Sequence, residues 1–257
     1  MNVKLEDDLI TQSVFHPRQE EGNFKAKGIP TAISTGADQI GGYLHVNDTS
    51  DVLLMFFHGN GEIAADYDML ADYYTNCGVN FWVLDYRGYG RSSGAPSYSC
   101  LSTDAEILFT AIPEIEKAAN KSFAHILVMG RSLGSAPAIY LASKYQEKLS
   151  GLVLDSAFAY GLELIHRIGG PMLSRDNLDH FMDNIDYMKQ CSLPTLLIHG
   201  TNDRIIPFSD ARALYKASPS DTKKLIEIPG AGHNDMLYLG AQIYFYELKS
   251  HIFQAIT

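Results

Sequence analysis

The run HILVMGRSLGSAPAIYLA, residues 125–142, changes character twice. Residues 126–129 are apolar and β-favouring. Gly130-Arg131-Ser132-Leu133-Gly134 follows, and small, helix-compatible residues come next. A strand, a tight GxSxG turn and a helix in direct succession make a nucleophile elbow, in which the serine is held exposed at the end of a sheet strand. Pro137 lies near the first turn of the helix, where a missing N–H costs least. A second GxSxG, Gly90-Arg91-Ser92-Ser93-Gly94, is followed by Gly94-Ala95-Pro96-Ser97, which starts no helix. The spacing therefore assigns the nucleophile to Ser132 and a surface loop to Ser92.

The same alternation extends along the chain. Short apolar runs at residues 52–57, 81–85, 126–129, 152–154 and 195–198 each end in a polar or glycine-rich turn. Helical spacing fills the gaps at 62–77, 103–119 (with Pro113 to split it), 134–145, 208–217 and 237–255. Residues 28–46 read as an antiparallel edge hairpin and 223–228 as a last strand. This pattern predicts an α/β fold with a mostly parallel central sheet of about eight strands flanked by helices. Residues 157–193 are longer than the connector they replace and rich in Met, Phe, Ile and Leu, so they read as a short helical lid. All of residues 1–257 are expected to form a single domain, because the candidate site draws on distant segments.

A serine hydroxyl needs a base, and the base needs an orienting acid. Two carboxylates qualify as the acid: Asp203, just past the run at 195–198, and Asp155, at the end of the preceding one. His233 stands in the glycine-rich PGAGHND loop after the last strand, and the order Ser132, Asp203, His233 is complete. His58 and His199 precede glycines at strand ends and read as loop-packing residues. The oxyanion requires two backbone N–H groups. Leu133, next to the nucleophile, supplies one. The HGNGE turn supplies the other, from Asn60 or alternatively Gly61. Phe158, Leu164, Ile168, Met172 and Leu173 are candidates for an acyl pocket, with ordinary core packing as the competing reading.

Composition narrows the function classes. Twenty Lys and Arg against 30 Asp and Glu give a formal charge of −10, with basic residues scattered. A nucleic-acid partner needs clustered cations, and none is expected here. Three well-separated cysteines without a CxxC suggest a reducing compartment. No apolar run approaches a membrane span, and MNVKLEDDLI is unlike a signal peptide. The expectation is a soluble cytoplasmic protein without membrane span or lipid anchor, acting on a small acyl substrate without metal or organic cofactor.

FFHGNGE (56–62), LDYRGYGRSSGAPS (84–97), ILVMGRSLGSAPA (126–138), LLIHGTNDRIIP (196–207) and IPGAGHNDM (228–236) occur in the order found in the serine α/β-hydrolase superfamily. Within it the chain resembles the BEM46-like group of single-domain enzymes, the ABHD13 and ABHD17 type. The resemblance implies Ser132 as nucleophile, Asp203 as acid, His233 as base, and Asn60 with Leu133 as the oxyanion hole. It also implies structural roles for Asp85 and Arg87. A serine at the elbow sets the chain apart from dehalogenases and epoxide hydrolases of this fold, which carry a carboxylate there. The implied activity is cleavage of a carboxylic ester or thioester. An aminopeptidase or amidase is the alternative, and a non-catalytic binding protein a more distant one.

Overall fold

The computed structural model describes residues 11–170 and 183–257. Among them runs one eight-stranded sheet, in the order β1-β2-β4-β3-β5-β6-β7-β8. The strands are β1 (Ile29–Ser34), β2 (Gln39–His45), β3 (Val52–Phe57), β4 (Asn80–Leu84), β5 (His125–Arg131), β6 (Gly151–Asp155), β7 (Thr195–Gly200) and β8 (Lys223–Ile228). β1 pairs antiparallel with β2, and β2 with β4; every other pair is parallel. The expected edge hairpin and mostly parallel sheet are both present.

Every residue of β3, β4, β6 and β7 is buried. Strands covered on both faces need continuous apolar runs, and these sequences supply them. Successive side chains still alternate. Leu53, Met55 and Phe57 join one hydrophobic cluster with Leu133, Phe158 and Leu214. Val52, Leu54 and Phe56 join the other, with Tyr74, Tyr244 and Leu248. Each fully buried side chain of this size contributes about 1.5–3 kcal/mol.

The helices are α1 (Ala71–Thr75), α2 (Tyr98–Thr110), α3 (Ile112–Ala119), α4 (Ser135–Lys144), α5 (Gly161–Arg167), α6 (Asn184–Met188), α7 (Phe208–Ala217) and α8 (Met236–Ile256). α7 and β8 have the bounds the sequence predicts. The helix expected over 62–77 does not form as one piece. It breaks into a 3₁₀ turn, Ala64–Tyr67, and the short α1. The aspartates explain this. Asp66 accepts the Ile63 N–H at 3.0 Å, and Asp85 accepts that of Ala64 at 2.8 Å. Asp68 accepts those of Lys27 and Gly28. Asp66 satisfies a backbone group locally, while Asp68 and Asp85 tie this stretch to other segments, and both kinds of bond compete with a regular α-helix. The helix expected over 103–119 divides at Ala111, ahead of Pro113, and starts earlier. Ser97 caps it by accepting the Cys100 N–H at 3.3 Å.

The chain leaves β3 for β4 on one side and returns to β5 on the other. Sequential strands thus diverge between β3 and β5, where such sheets open a crevice at their carboxyl ends. The register pairs Phe57 with Gly130, which sets the turn after β3 beside the turn after β5.

Candidate active site

Ser132 follows β5 with φ of +52°, a left-handed conformation rare outside glycine. Its neighbours make that turn possible. A β-carbon on Gly130 would lie 2.1 Å from the Gly134 oxygen, and one on Gly134 would lie 2.0 Å from the Phe57 oxygen. Both positions of the motif therefore require glycine, one for the turn and one for the approach of α4 to β3. The Ser132 carbonyl accepts the Ser135 hydroxyl at 2.7 Å, which fastens the turn to α4.

His233 stands in the loop between β8 and α8. Its Nε2 is 2.9 Å from Ser132 Oγ, and its Nδ1 is 2.7 Å from Asp203 Oδ2. With the proton on Nδ1, the hydroxyl donates to the ring and the ring donates to the carboxylate. Asp203 is buried after β7, and its other oxygen accepts the Ile205 and Ile206 N–H groups at 2.9 and 2.8 Å. Burial pushes this carboxyl up. The hydrogen bonds from His199 and His233 and the charge of His233 outweigh that and hold it well below the usual carboxylate range. A carboxylate so held stays ionised and fixes the ring, so that the ring can take the serine proton.

Asp155, the other candidate acid, is committed elsewhere. Its Oδ2 accepts the Tyr244 hydroxyl at 2.9 Å and lies 4.0 Å from Arg131 Nε. Burial raises its carboxyl, partly offset by Arg131. Ser92 is buried in a turn, where its hydroxyl accepts the Gly41 N–H at 2.9 Å. Asp85 accepts the N–H groups of Ala64 and Arg91, and Arg87 bridges Asp104 and Asp38, so both brace loops.

Asn60 occupies the turn after β3. Its side chain holds the N-terminal segment: Oδ1 accepts the His16 N–H at 3.0 Å and the Tyr89 hydroxyl at 2.8 Å, and Nδ2 donates to the Val14 carbonyl. The turn is further braced by the Tyr86 hydroxyl, which donates to the His58 carbonyl at 2.6 Å.

The family model described as "Serine aminopeptidase, S33" matches residues 48–173 and 163–237. The chain belongs to this family. It is 33% identical over 195 residues to "Uncharacterized membrane protein YNL320W" of Saccharomyces cerevisiae, covering 74% of this chain and 67% of that one. It is 31% identical over 186 residues to "Protein bem46" of Schizosaccharomyces pombe, covering 71% and 61%. The BEM46-like, α/β-hydrolase resemblance therefore holds. The esterase Pf2001 of Pyrococcus furiosus shares the fold, with a TM-score of 0.75 at 17% identity over 93% of this chain and 98% of that one.

The acyl-pocket candidates of this S33 chain fall in different places. Phe158 and Leu164 are buried in the cluster that contains Leu133, whereas Ile168 is exposed at the end of α5. Met172 and Leu173 lie outside the described residues. The sequence reading gave His199 a loop-packing role and did not single out Glu62 or Arg131. His199, read as loop packing, is buried with its Nε2 2.8 Å from the Ile206 oxygen and 3.4 Å from Asp203 Oδ2. Glu62 and Arg131 form an ion pair beside His233. The signal for this pair was a charged residue in each of two glycine-rich motifs, which only their spatial meeting makes meaningful.

Proposed function

We propose that the protein is a serine hydrolase that cleaves a carboxylic ester or thioester through an acyl-enzyme. The observation that carries this reading is the continuous hydrogen-bonded path from Ser132 Oγ through the His233 ring to Asp203, starting from a left-handed elbow serine. In the proposed cycle His233 Nε2 takes the hydroxyl proton as Ser132 Oγ attacks the acyl carbon. The N–H groups of Leu133 and Asn60 receive the oxyanion. His233 then gives its proton to the leaving oxygen or sulfur, and a water deprotonated by the same ring releases the acid. Asp203 keeps the proton on Nδ1 throughout. Each oxyanion donor contributes about 3–4 kcal/mol of transition-state stabilisation in sites of this type.

We assign the acyl chain to the side of α5, whose Leu164 is buried in the same hydrophobic cluster as Phe158 and Leu133. The family's description gives specific support to a second reading, cleavage of an aminoacyl amide. No helix among the described residues is long and apolar enough to cross a membrane. The cytoplasmic location is retained as part of the proposal. It rests on three unbridged cysteines, two of them buried.

A fluorophosphonate probe tests the reading. The wild-type protein should label and Ser132→Ala should not; equal labelling of both would end the assignment. p-Nitrophenyl esters of rising chain length, acyl thioesters and aminoacyl anilides then rank the substrate classes. Preferred turnover of the anilides would replace the ester reading with the amide one.

A further inference from the structure

Three loops of the site meet at one guanidinium. Arg131 closes β5, one residue before Ser132. Its Nη1 pairs with the Glu62 carboxylate. Its Nη2 donates to the backbone carbonyl of His233 at 2.8 Å and to Asn234 Oδ1 at 3.1 Å. The other oxygen of Glu62 accepts the Gly59 N–H at 2.7 Å and the Tyr67 hydroxyl at 2.6 Å. A single path of polar contacts therefore runs from the backbone beside Asn60, through Glu62 and Arg131, to the backbone that carries the imidazole.

The pair is well sheltered, with side chains 14% and 24% exposed, so its attraction is only partly screened. The close fit extends to the main chain. A β-carbon on Gly59 would lie 2.6 Å from Arg131 Nη1 and 2.9 Å from Glu62 Oε2. A guanidinium stays protonated at any pH the fold survives, so it has no proton to offer the reaction. What it offers is a rigid fork of donors, and here the fork is shared between a carboxylate and a backbone oxygen.

We propose that Arg131, clamped by Glu62, is a positioning residue that holds the His233 imidazole and the Asn60 N–H in working register with Ser132. The proposal rests on the serine-hydrolase reading of the same site. Neither side chain is assigned a contact with the reacting atoms, so the effect is indirect. Displacements of about 1 Å in a reacting constellation can cost about a hundredfold in rate. Losing the clamp should therefore slow the chemical step and leave substrate affinity nearly intact.

The test uses the full chain and three variants, Arg131→Met, Arg131→Lys and Glu62→Gln. Steady-state turnover of p-nitrophenyl acetate is measured well below each variant's melting temperature. Rates are expressed per folded molecule from circular dichroism. Arg131→Lys keeps the charge without the fork, and Glu62→Gln keeps an acceptor without the charge, so these two arms decide the matter if Arg131→Met does not fold. The expected result is a fall in kcat of roughly tenfold or more, with KM within about threefold of wild type. A purely structural role would lower the melting temperature and leave kcat per folded molecule unchanged. That outcome, or a loss carried by KM alone, overturns the proposal. Wild-type labelling by fluorophosphonate and loss of turnover in Ser132→Ala are checked first. If those fail, the serine-hydrolase reading falls and takes this proposal with it; if they hold while the variants turn over normally, only this proposal falls.

Discussion

Gly134 sits directly against the carbonyl of Phe57: a β-carbon there would lie 2.0 Å from the oxygen and 2.6 Å from the carbon. Both partners are backbone, so neither can rotate away. Gly134→Ala is expected to destabilise the protein by at least about 1–3 kcal/mol, the range for overpacking a close-fitted interior. Urea unfolding checks this. An unchanged midpoint would mean that α4 does not approach β3 as described.

Asp203→Asn should keep the shape of the site and lose the charge that fixes the imidazole. Turnover is expected to fall by roughly three to four orders of magnitude. The pH dependence of stability has a definite sign. Burial raises the folded carboxyl, but the hydrogen bonds from His199 and His233 outweigh it and hold the group below its unfolded value. Its contribution is therefore fully present above the unfolded pKa of about 4 and is lost as pH falls through the folded pKa. Wild type should exceed Asp203→Asn in stability at pH 7, and the gap should close in strong acid. A gap that widens on acidification would contradict the described contacts.

His251 titrates with the same sign in a higher pH window. Burial lowers its pKa to about 4, against the backbone contact with Leu152 that raises it. The unfolded chain binds this proton at about pH 6.5 and the folded chain only near 4. Stability should thus fall as pH drops through that window, by about 3 kcal/mol in all. His251→Leu is expected to flatten the slope between pH 6.5 and 4 in denaturant titrations. An unaltered slope would place the titration in another group.

Tyr244→Phe removes the hydroxyl that donates to Asp155 Oδ2, while Asp155 Oδ1 already has no hydrogen-bond partner among the described residues. The buried carboxyl is then left with Arg131 and Ser156 beside it. The expected cost is about 1–3 kcal/mol of stability, that of an unsatisfied buried polar group. Differential scanning calorimetry reads it as a lower melting temperature, and an unchanged value would show that water replaces the phenol.

The strands were legible because burial on both faces writes itself as an apolar run. β3 and β8 have the bounds read from sequence, and β4, β5, β6 and β7 differ by one or two residues at one or both ends. The elbow was legible because two glycines answer two specific collisions. Residues 62–77 were misread because apolar spacing reports a helix, whereas Asp66, Asp68 and Asp85 spend their carboxylates on backbone N–H groups, in bonds that mostly join this stretch to other segments. Ser132, Asp203 and His233 could be found one by one, each at the end of a strand. Glu62 and Arg131 could not, because they are 69 positions apart and neither motif requires the other. The sequence favoured Asp203 over Asp155 by its place in the chain order, but not the partner that occupies Asp155: Tyr244 lies 89 positions from the carboxylate it holds.

The pairing of β6 with β7 runs from Leu152 opposite Thr195 to Asp155 opposite Ile198, and it is made by the strands themselves. The intervening stretch, residues 156–194, therefore does not set the alignment that carries Asp203 to His233. A replacement for that stretch has to keep Phe158, Ile165, Ile185 and Met188, which are buried in the core, and Asn184, which donates to Ser135 Oγ at 3.2 Å and to the Phe158 carbonyl at 2.9 Å. On the hydrolase reading proposed above, an exposed side chain of that interval such as Ile168 is then the kind of position where substrate preference can drift while the strands keep Ser132, Asp203 and His233 together.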